Sequence, residues 1–181
     1  MKKIYIVHGY LANVNSHWFD WIKQNVATQG YEVTVLAMSD SAQPKYADWY
    51  SDLEEGLSSL QADDIVIAHS LGCISTLDYL SKLQEQNVFK KLILVSGFYE
   101  KLSVLPDLDQ FVESCTLDTE KLQALVGNIT VFVSSNDVLV QPELTYRLAE
   151  KLNANVVNVK NAGHFLDSDG YTTFPDLLAA I

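Results

Sequence analysis

The chain has 181 residues, a length at which one domain buries roughly 70% of its unfolded surface. Its apolar share of 48% and charged share of 19% are those of an ordinary globular protein. A formal charge of −11 argues against surfaces that bind through clustered Lys and Arg, so neither nucleic acid nor an anionic membrane is an expected partner.

In chain order, Ile4 to Val7 is the first short apolar run, too brief for a signal-peptide core, and no stretch of about eighteen apolar residues offers a membrane span. Further Val- and Ile-rich runs follow at Tyr31 to Leu36, Ile65 to Ala68, Leu92 to Val95 and Ile129 to Val133, with a more polar one at Asn155 to Val159. Continuous apolar runs suit strands covered on both faces. Between them, Trp18 to Thr28, Tyr46 to Leu60, Cys73 to Leu83 and Pro142 to Leu152 space apolar residues three and four apart, and Phe174 to Ile181 reads as a last short helix. The alternation predicts one α/β domain over residues 1–181, an open and mostly parallel sheet of about six strands with helices on both faces. The longest interruption, Ser96 to Asn128, holds two short helical segments at Asp107 to Cys115 and Thr119 to Val126, enough for a minimal cap.

Cys73 and Cys115 have no second Cys or His at metal-ligand spacing and no disulfide partner pattern, so a reducing, cytoplasmic setting without metal or other cofactor is expected. The Asn128-Ile129-Thr130 sequon carries no meaning in that setting.

The chemistry is concentrated at strand ends. Ala68-His69-Ser70-Leu71-Gly72 puts a serine between a buried strand and a helix, the place of a nucleophile elbow. Small residues two before and two after the serine let strand and helix approach; the usual pattern has Gly at both, and Ala68 departs from it by one methyl. Alone, Ser70 also fits a plain helix cap. Asp137, beyond the fifth strand, and His164, beyond the sixth, follow in the order nucleophile, acid, histidine that this arrangement requires, and they complete a predicted Ser70-Asp137-His164 triad. Asp107, Asp118 and Asp167 are rival acids, none of which directly follows a strand. The turn His8-Gly9-Tyr10 after the first strand is assigned to substrate binding, with the Tyr10 and Leu71 N–H groups as the candidate oxyanion hole. The rings of His8 and His69 are read as satisfied polar groups, and neither cysteine is given chemistry.

Together, His8-Gly9-Tyr10, Ser16-His17-Trp18, Ala68-His69-Ser70-Leu71-Gly72, Asn136-Asp137 and Gly163-His164-Phe165 resemble the small serine hydrolases of the YdeN type, which include the retinoblastoma-binding-protein hydrolases. The resemblance spans almost the whole chain. It implies a nearly lidless α/β-hydrolase fold with a Ser-Asp-His triad, and it implies that Trp18 helps hold the first loop, on the substrate-binding side with His8 and Gly9. The Leu-x-Cys-x-Glu motif tied to retinoblastoma-type partners is not matched, since Leu71-Gly72-Cys73-Ile74-Ser75 ends in serine, and no such partner is expected.

The expected activity is hydrolysis of a small, short-acyl ester, or of an amide, through an acyl-enzyme. Two other readings use the same residues: an acyltransferase or thioesterase with the same triad, and a binding protein that kept the fold without turnover.

Overall fold

The computed structural model describes residues 2–84 and 88–181. Six strands, β1 (Lys2–Val7), β2 (Tyr31–Leu36), β3 (Ile65–His69), β4 (Lys91–Val95), β5 (Ile129–Ser134) and β6 (Asn155–Val159), form one sheet in the order β2-β1-β3-β4-β5-β6. Every pairing is parallel.

Alternation along the strands divides the core into two layers. Tyr5 and Val7, Val66 and Ala68, Leu92 and Leu94, Val131 and Val133 face one side. Ile4 and Ile6, Ile65 and Ile67, Ile93 and Val95, and Phe132 face the other. The first side is covered by α2 (Tyr46–Gly56), α3 (Leu71–Lys82) and α6 (Pro142–Leu152), through residues such as Trp49, Leu77 and Leu148. On the second side, α1 (Phe19–Val26) and α7 (Pro175–Ala180) supply Phe19, Ile22 and Leu177. The polar character of Asn155 to Val159 has a simple cause: β6 is an edge strand, and its two asparagines face outward.

The insertion after β4 forms α4 (Asp109–Ser114) and α5 (Thr119–Leu125). Leu122 and Leu125 of α5, with Leu108, Phe111 and Val112, pack into the first core layer, so much of the insertion serves the core and little is left over as a cap.

Strand order places the site. The chain runs from β1 outward to β2 and then back across to β3, so the connections leaving β1 and β3 diverge and open a crevice at the strand C-termini between them. The loops at His8-Gly9 and at Ser70 lie there. They touch: a Cβ placed on Gly9 would stand 2.9 Å from the Ser70 Cβ and 3.0 Å from the His69 carbonyl oxygen. A side chain at Gly9 is therefore barred on steric grounds.

Candidate active site

Ser70 connects β3 directly to α3 with φ 54° and ψ −122°, a conformation that costs a non-glycine residue about 1–3 kcal/mol. Two features hold it there: the Ser70 N–H donates to the Val95 carbonyl at 3.0 Å, and α3 begins at the next residue. Gly72 makes the start of that helix possible. A Cβ there would lie 2.6 Å from both the Val7 and His8 carbonyl oxygens, so α3 presses against the end of β1 at backbone distance. The expected second small residue, Ala68, is fully buried in the first core layer, where its methyl is accommodated.

His164 Nε2 is 2.8 Å from Ser70 Oγ, and His164 Nδ1 is 2.7 Å from Asp137 Oδ2. The carboxylate has further partners. Ser96 Oγ donates to Oδ2 at 2.7 Å, and the Leu139 and Val140 N–H groups donate to Oδ1 at 3.0 and 2.9 Å. A buried carboxylate is tolerable when its lone pairs are filled in this way, and the same bonds fix its orientation toward the imidazole. The rival acids are engaged elsewhere. Asp118 caps α5 by accepting from the Lys121 N–H at 3.0 Å, Asp167 is exposed and 3.4 Å from His17, and Asp107 lies in the short turn of helix before α4.

The loop carrying His164 is tied down through consecutive N–H groups. Those of Asn161, Ala162 and Gly163 donate to Ser135 Oγ, Ser134 Oγ and Asn136 Oδ1 at 3.0, 3.1 and 2.8 Å, and that of His164 donates to Asp169 Oδ2 at 2.8 Å. The segment just before Asp137 thus holds the segment just before His164. Gly163, with φ 57°, leaves room for the Asp169 carboxylate, which would otherwise meet a Cβ at 2.3 to 2.6 Å. Ser96, Ser134, Ser135 and Asp169 complete the site beyond the residues expected from the sequence. A strand-end signal existed for Ser96 and Ser134, since both stand at the C-termini of strands; for Asp169 there was none.

At the Gly9 side, the Leu71 and Tyr10 N–H groups have no acceptor among the described residues. Leu71 opens α3, where the first N–H of a helix is free of intrahelical bonding. Two residues assigned to the substrate side, His8 and Trp18, have buried side chains. The His8 ring is buried and fully used, Nδ1 donating to the Gly9 carbonyl at 3.0 Å and Nε2 accepting from the Met38 N–H at 3.2 Å, so it clamps the loop and offers nothing to a substrate. Trp18 is also fully buried, edge-on to Phe19 and Phe174, and supports the loop from the core; its size and apolar character took it inward.

Burial lowers the pKa values of His8 and His17, and that of His69 well below the usual range, so these three rings are neutral near pH 7. Burial also pushes the Cys73 thiol far up and the Cys115 thiol to about 12, so neither is a thiolate at neutral pH. Among the described residues, no group of three or more His, Cys, Asp or Glu side chains is arranged to hold a metal ion.

The family profile for serine hydrolases matches residues 4–181. This chain belongs to the serine hydrolase family. The YdeN protein of Bacillus subtilis (strain 168) is 34% identical over 174 residues, which cover 96% of this chain and 91% of that one. Serine hydrolase RBBP9 of Rattus norvegicus is 24% identical over 162 residues, 87% of this chain and 83% of its own. In three dimensions, the crystal structure of the B. subtilis ydeN gene product superimposes with a TM-score of 0.95, covering 99% and 96% of the two chains at 33% identity. A Bacillus anthracis bromoperoxidase, 14% identical with a TM-score of 0.74 over 99% and 91% of the chains, shares the fold alone. The serine hydrolase family assignment and the parallel six-stranded sheet make this a hydrolase of the α/β-hydrolase fold. No helix among the described residues is long and apolar enough to cross a membrane.

Proposed function

We propose that this serine hydrolase cleaves small carboxylic esters through an acyl-enzyme, with Ser70 as nucleophile, His164 as general base and then general acid, and Asp137 as the orienting carboxylate. The observation that carries the reading is the continuous chain from Ser70 Oγ through both nitrogens of His164 to Asp137, at 2.8 and 2.7 Å. As Oγ attacks the carbonyl carbon, its proton passes to His164 Nε2 and the carbonyl electrons move onto oxygen, which the Leu71 and Tyr10 N–H groups would receive. Collapse expels the alcohol with that proton and leaves the acyl group on Ser70; water, deprotonated by His164, then releases the acid.

The acyl group should be short. The insertion forms a cleft of about 190 Å³ between Pro44 to Tyr46 and Asp107 to Ser114, and its lining does not include Ser70, Asp137 or His164. Each methylene that finds an apolar wall gains about 0.8 kcal/mol. Because Leu108, Phe111, Val112, Leu122 and Leu125 of the insertion are taken up by the core, kcat/KM for p-nitrophenyl esters should peak at short acyl chains, and a maximum at about eight carbons or more would contradict that.

We place the enzyme in the cytoplasm, in keeping with two free cysteines and a strongly acidic surface. The deciding experiment is covalent labelling by a fluorophosphonate followed by peptide mapping. The adduct should fall on Ser70; an adduct elsewhere, or none, would refute the mechanism.

A further inference from the structure

His69 precedes the nucleophile, yet its ring is occupied with a different residue. The imidazole is fully buried, with ring centroids of Trp18, His17 and His164 at 6.2, 5.5 and 5.0 Å. A buried ring of this kind is costly unless its polar atoms are paired. One is: Nε2 lies 2.8 Å from the main-chain oxygen of His164. The other, Nδ1, has no partner among the described residues.

That asymmetry fixes the proton. A carbonyl oxygen only accepts, so Nε2 must carry the hydrogen and Nδ1 its bare lone pair. An unpaired lone pair is the less costly of the two choices, because the opposite tautomer would leave a buried N–H without an acceptor and set two acceptors against each other. Burial first, and then the neighbouring His164 and His17, keep the ring neutral, so the donor is permanent near neutral pH.

The carbonyl it holds belongs to a strained turn. Phe165, just after His164, has φ 57°, which strains a non-glycine residue, and Gly163, just before His164, adopts the same φ freely. The side-chain oxygens of Ser134, Ser135, Asn136 and Asp169 secure N–H groups of this turn, and the peptide that leaves His164 is held at its other end, where the Phe165 N–H donates to the Ala162 carbonyl at 3.0 Å, so its carbonyl oxygen is the end left for a contact from outside the turn. His69 supplies that contact from the elbow itself.

We propose that His69 is a positioning residue, whose Nε2–H holds the His164 carbonyl and so keeps the His164 ring in reach of Ser70 Oγ. The inference rests on Ser70 and His164 being nucleophile and base. One backbone step joins His69 to the serine, and one hydrogen bond joins it to the histidine, so the two reacting groups move as a unit. Misplacement by about 1 Å costs on the order of 10²-fold in rate, which sets the size of the effect.

The test pairs His69→Leu, which fills the space without a donor, with His69→Gln, whose amide can donate from nearly the same point. For His69→Leu, kcat should fall about 10- to 100-fold with KM little changed, and His69→Gln should recover most of it. An unimpaired His69→Leu, or a His69→Gln equally slow while folded, would overturn the proposal. Imidazole ¹⁵N spectra of the wild-type protein give a reading independent of turnover and of variant folding. The four histidines make assignment tractable, the His69 signals being those lost in His69→Gln. They should show Nε2 protonated and Nδ1 bare; the reverse tautomer would overturn the proposal on its own. Should turnover survive Ser70→Ala, the mechanism fails while the tautomer still decides what His69 holds.

Discussion

The two halves of the site are held in opposite ways. Ser70 is kept in place by the main chain: a strained φ, a helix starting at once, and Gly72 and Gly9 leaving free the space where a Cβ would stand only 2.6 to 3.0 Å from its neighbours. Asp137 and His164 stand on loops that side-chain oxygens hold, Ser96 and Asp169 among them. The elbow is a steric device and the acid–base pair a hydrogen-bonded one. Substitutions should therefore fail differently in the two places, by backbone displacement in the first and by loosened geometry in the second.

The largest effect belongs to the elbow. Ser70→Ala should lower kcat by about 10⁶-fold, as removal of a triad nucleophile does, with the fold intact by circular dichroism. Gly72→Ala probes the steric side: its Cβ would press on two carbonyl oxygens at 2.6 Å, and backbone has no easy escape. Thermal unfolding should show a loss of about 1–3 kcal/mol, of the size seen for overpacked cores. Unchanged stability would mean that α3 and β1 can separate more readily than their contact suggests.

On the hydrogen-bonded side, Asp137→Asn should lower kcat by about 10⁴-fold, because an amide no longer enforces the productive tautomer of His164. Asp107→Asn, Asp118→Asn and Asp167→Asn are the controls, and their kcat should stay close to wild type. If any of the three matched Asp137→Asn while folded, the acid would have to be reassigned.

This contrast also explains what could be read in advance. The elbow depends on neighbours in sequence, so Ala68, Ser70, Gly72 and the apolar run before them display it directly. The inner strands β1, β3, β4 and β5 were visible for a similar reason, since burial on both faces leaves a continuous apolar run. Ser96 and Asp169 act on partners brought near by folding, and a loop serine or aspartate looks the same whether it meets a carboxylate, an N–H or water. Trp18 is read as holding the first loop on the substrate-binding side; its apolar surface takes the whole side chain into the core beneath that loop. Ends of helices blurred as well. The helix expected to reach Leu60 stops at Gly56, where a Cβ would meet the Leu36 side chain at 2.5 Å.

Gly163→Ala is the hydrogen-bonded counterpart of Gly72→Ala. Its Cβ would strike the Asp169 carboxylate at 2.3 to 2.6 Å, and a positive φ of 57° adds about 1 kcal/mol of strain. A carboxylate can swing aside where a carbonyl cannot, so the protein should remain folded while the His164 N–H loses its acceptor. We expect kcat to fall by about 10²-fold, through misplacement of the imidazole. A loss of folding instead of activity, in a melt beside the rate measurement, would erase the distinction between the two glycines.

The smallest effect should come from Ser96→Ala. Ser96 Oγ donates to the same carboxylate oxygen, Asp137 Oδ2, that faces His164 Nδ1, while Oδ1 is held by two main-chain N–H groups. Removing one donor of four leaves the carboxylate oriented, since the remaining three still act on both oxygens. A hydrogen bond to a charged group contributes about 1.5–3 kcal/mol to stability, and only part of that reaches the transition state, where the imidazolium draws on the same oxygen. The expected outcome is about a 10-fold fall in kcat, with KM unchanged. Ser96 also has φ 48°, a conformation alanine tolerates no better than serine, so the strain remains and the loss reports the hydroxyl. A fall approaching that of Asp137→Asn would show that the carboxylate depends on this one hydroxyl for its orientation, and that the Leu139 and Val140 N–H groups hold the loop without holding the acid.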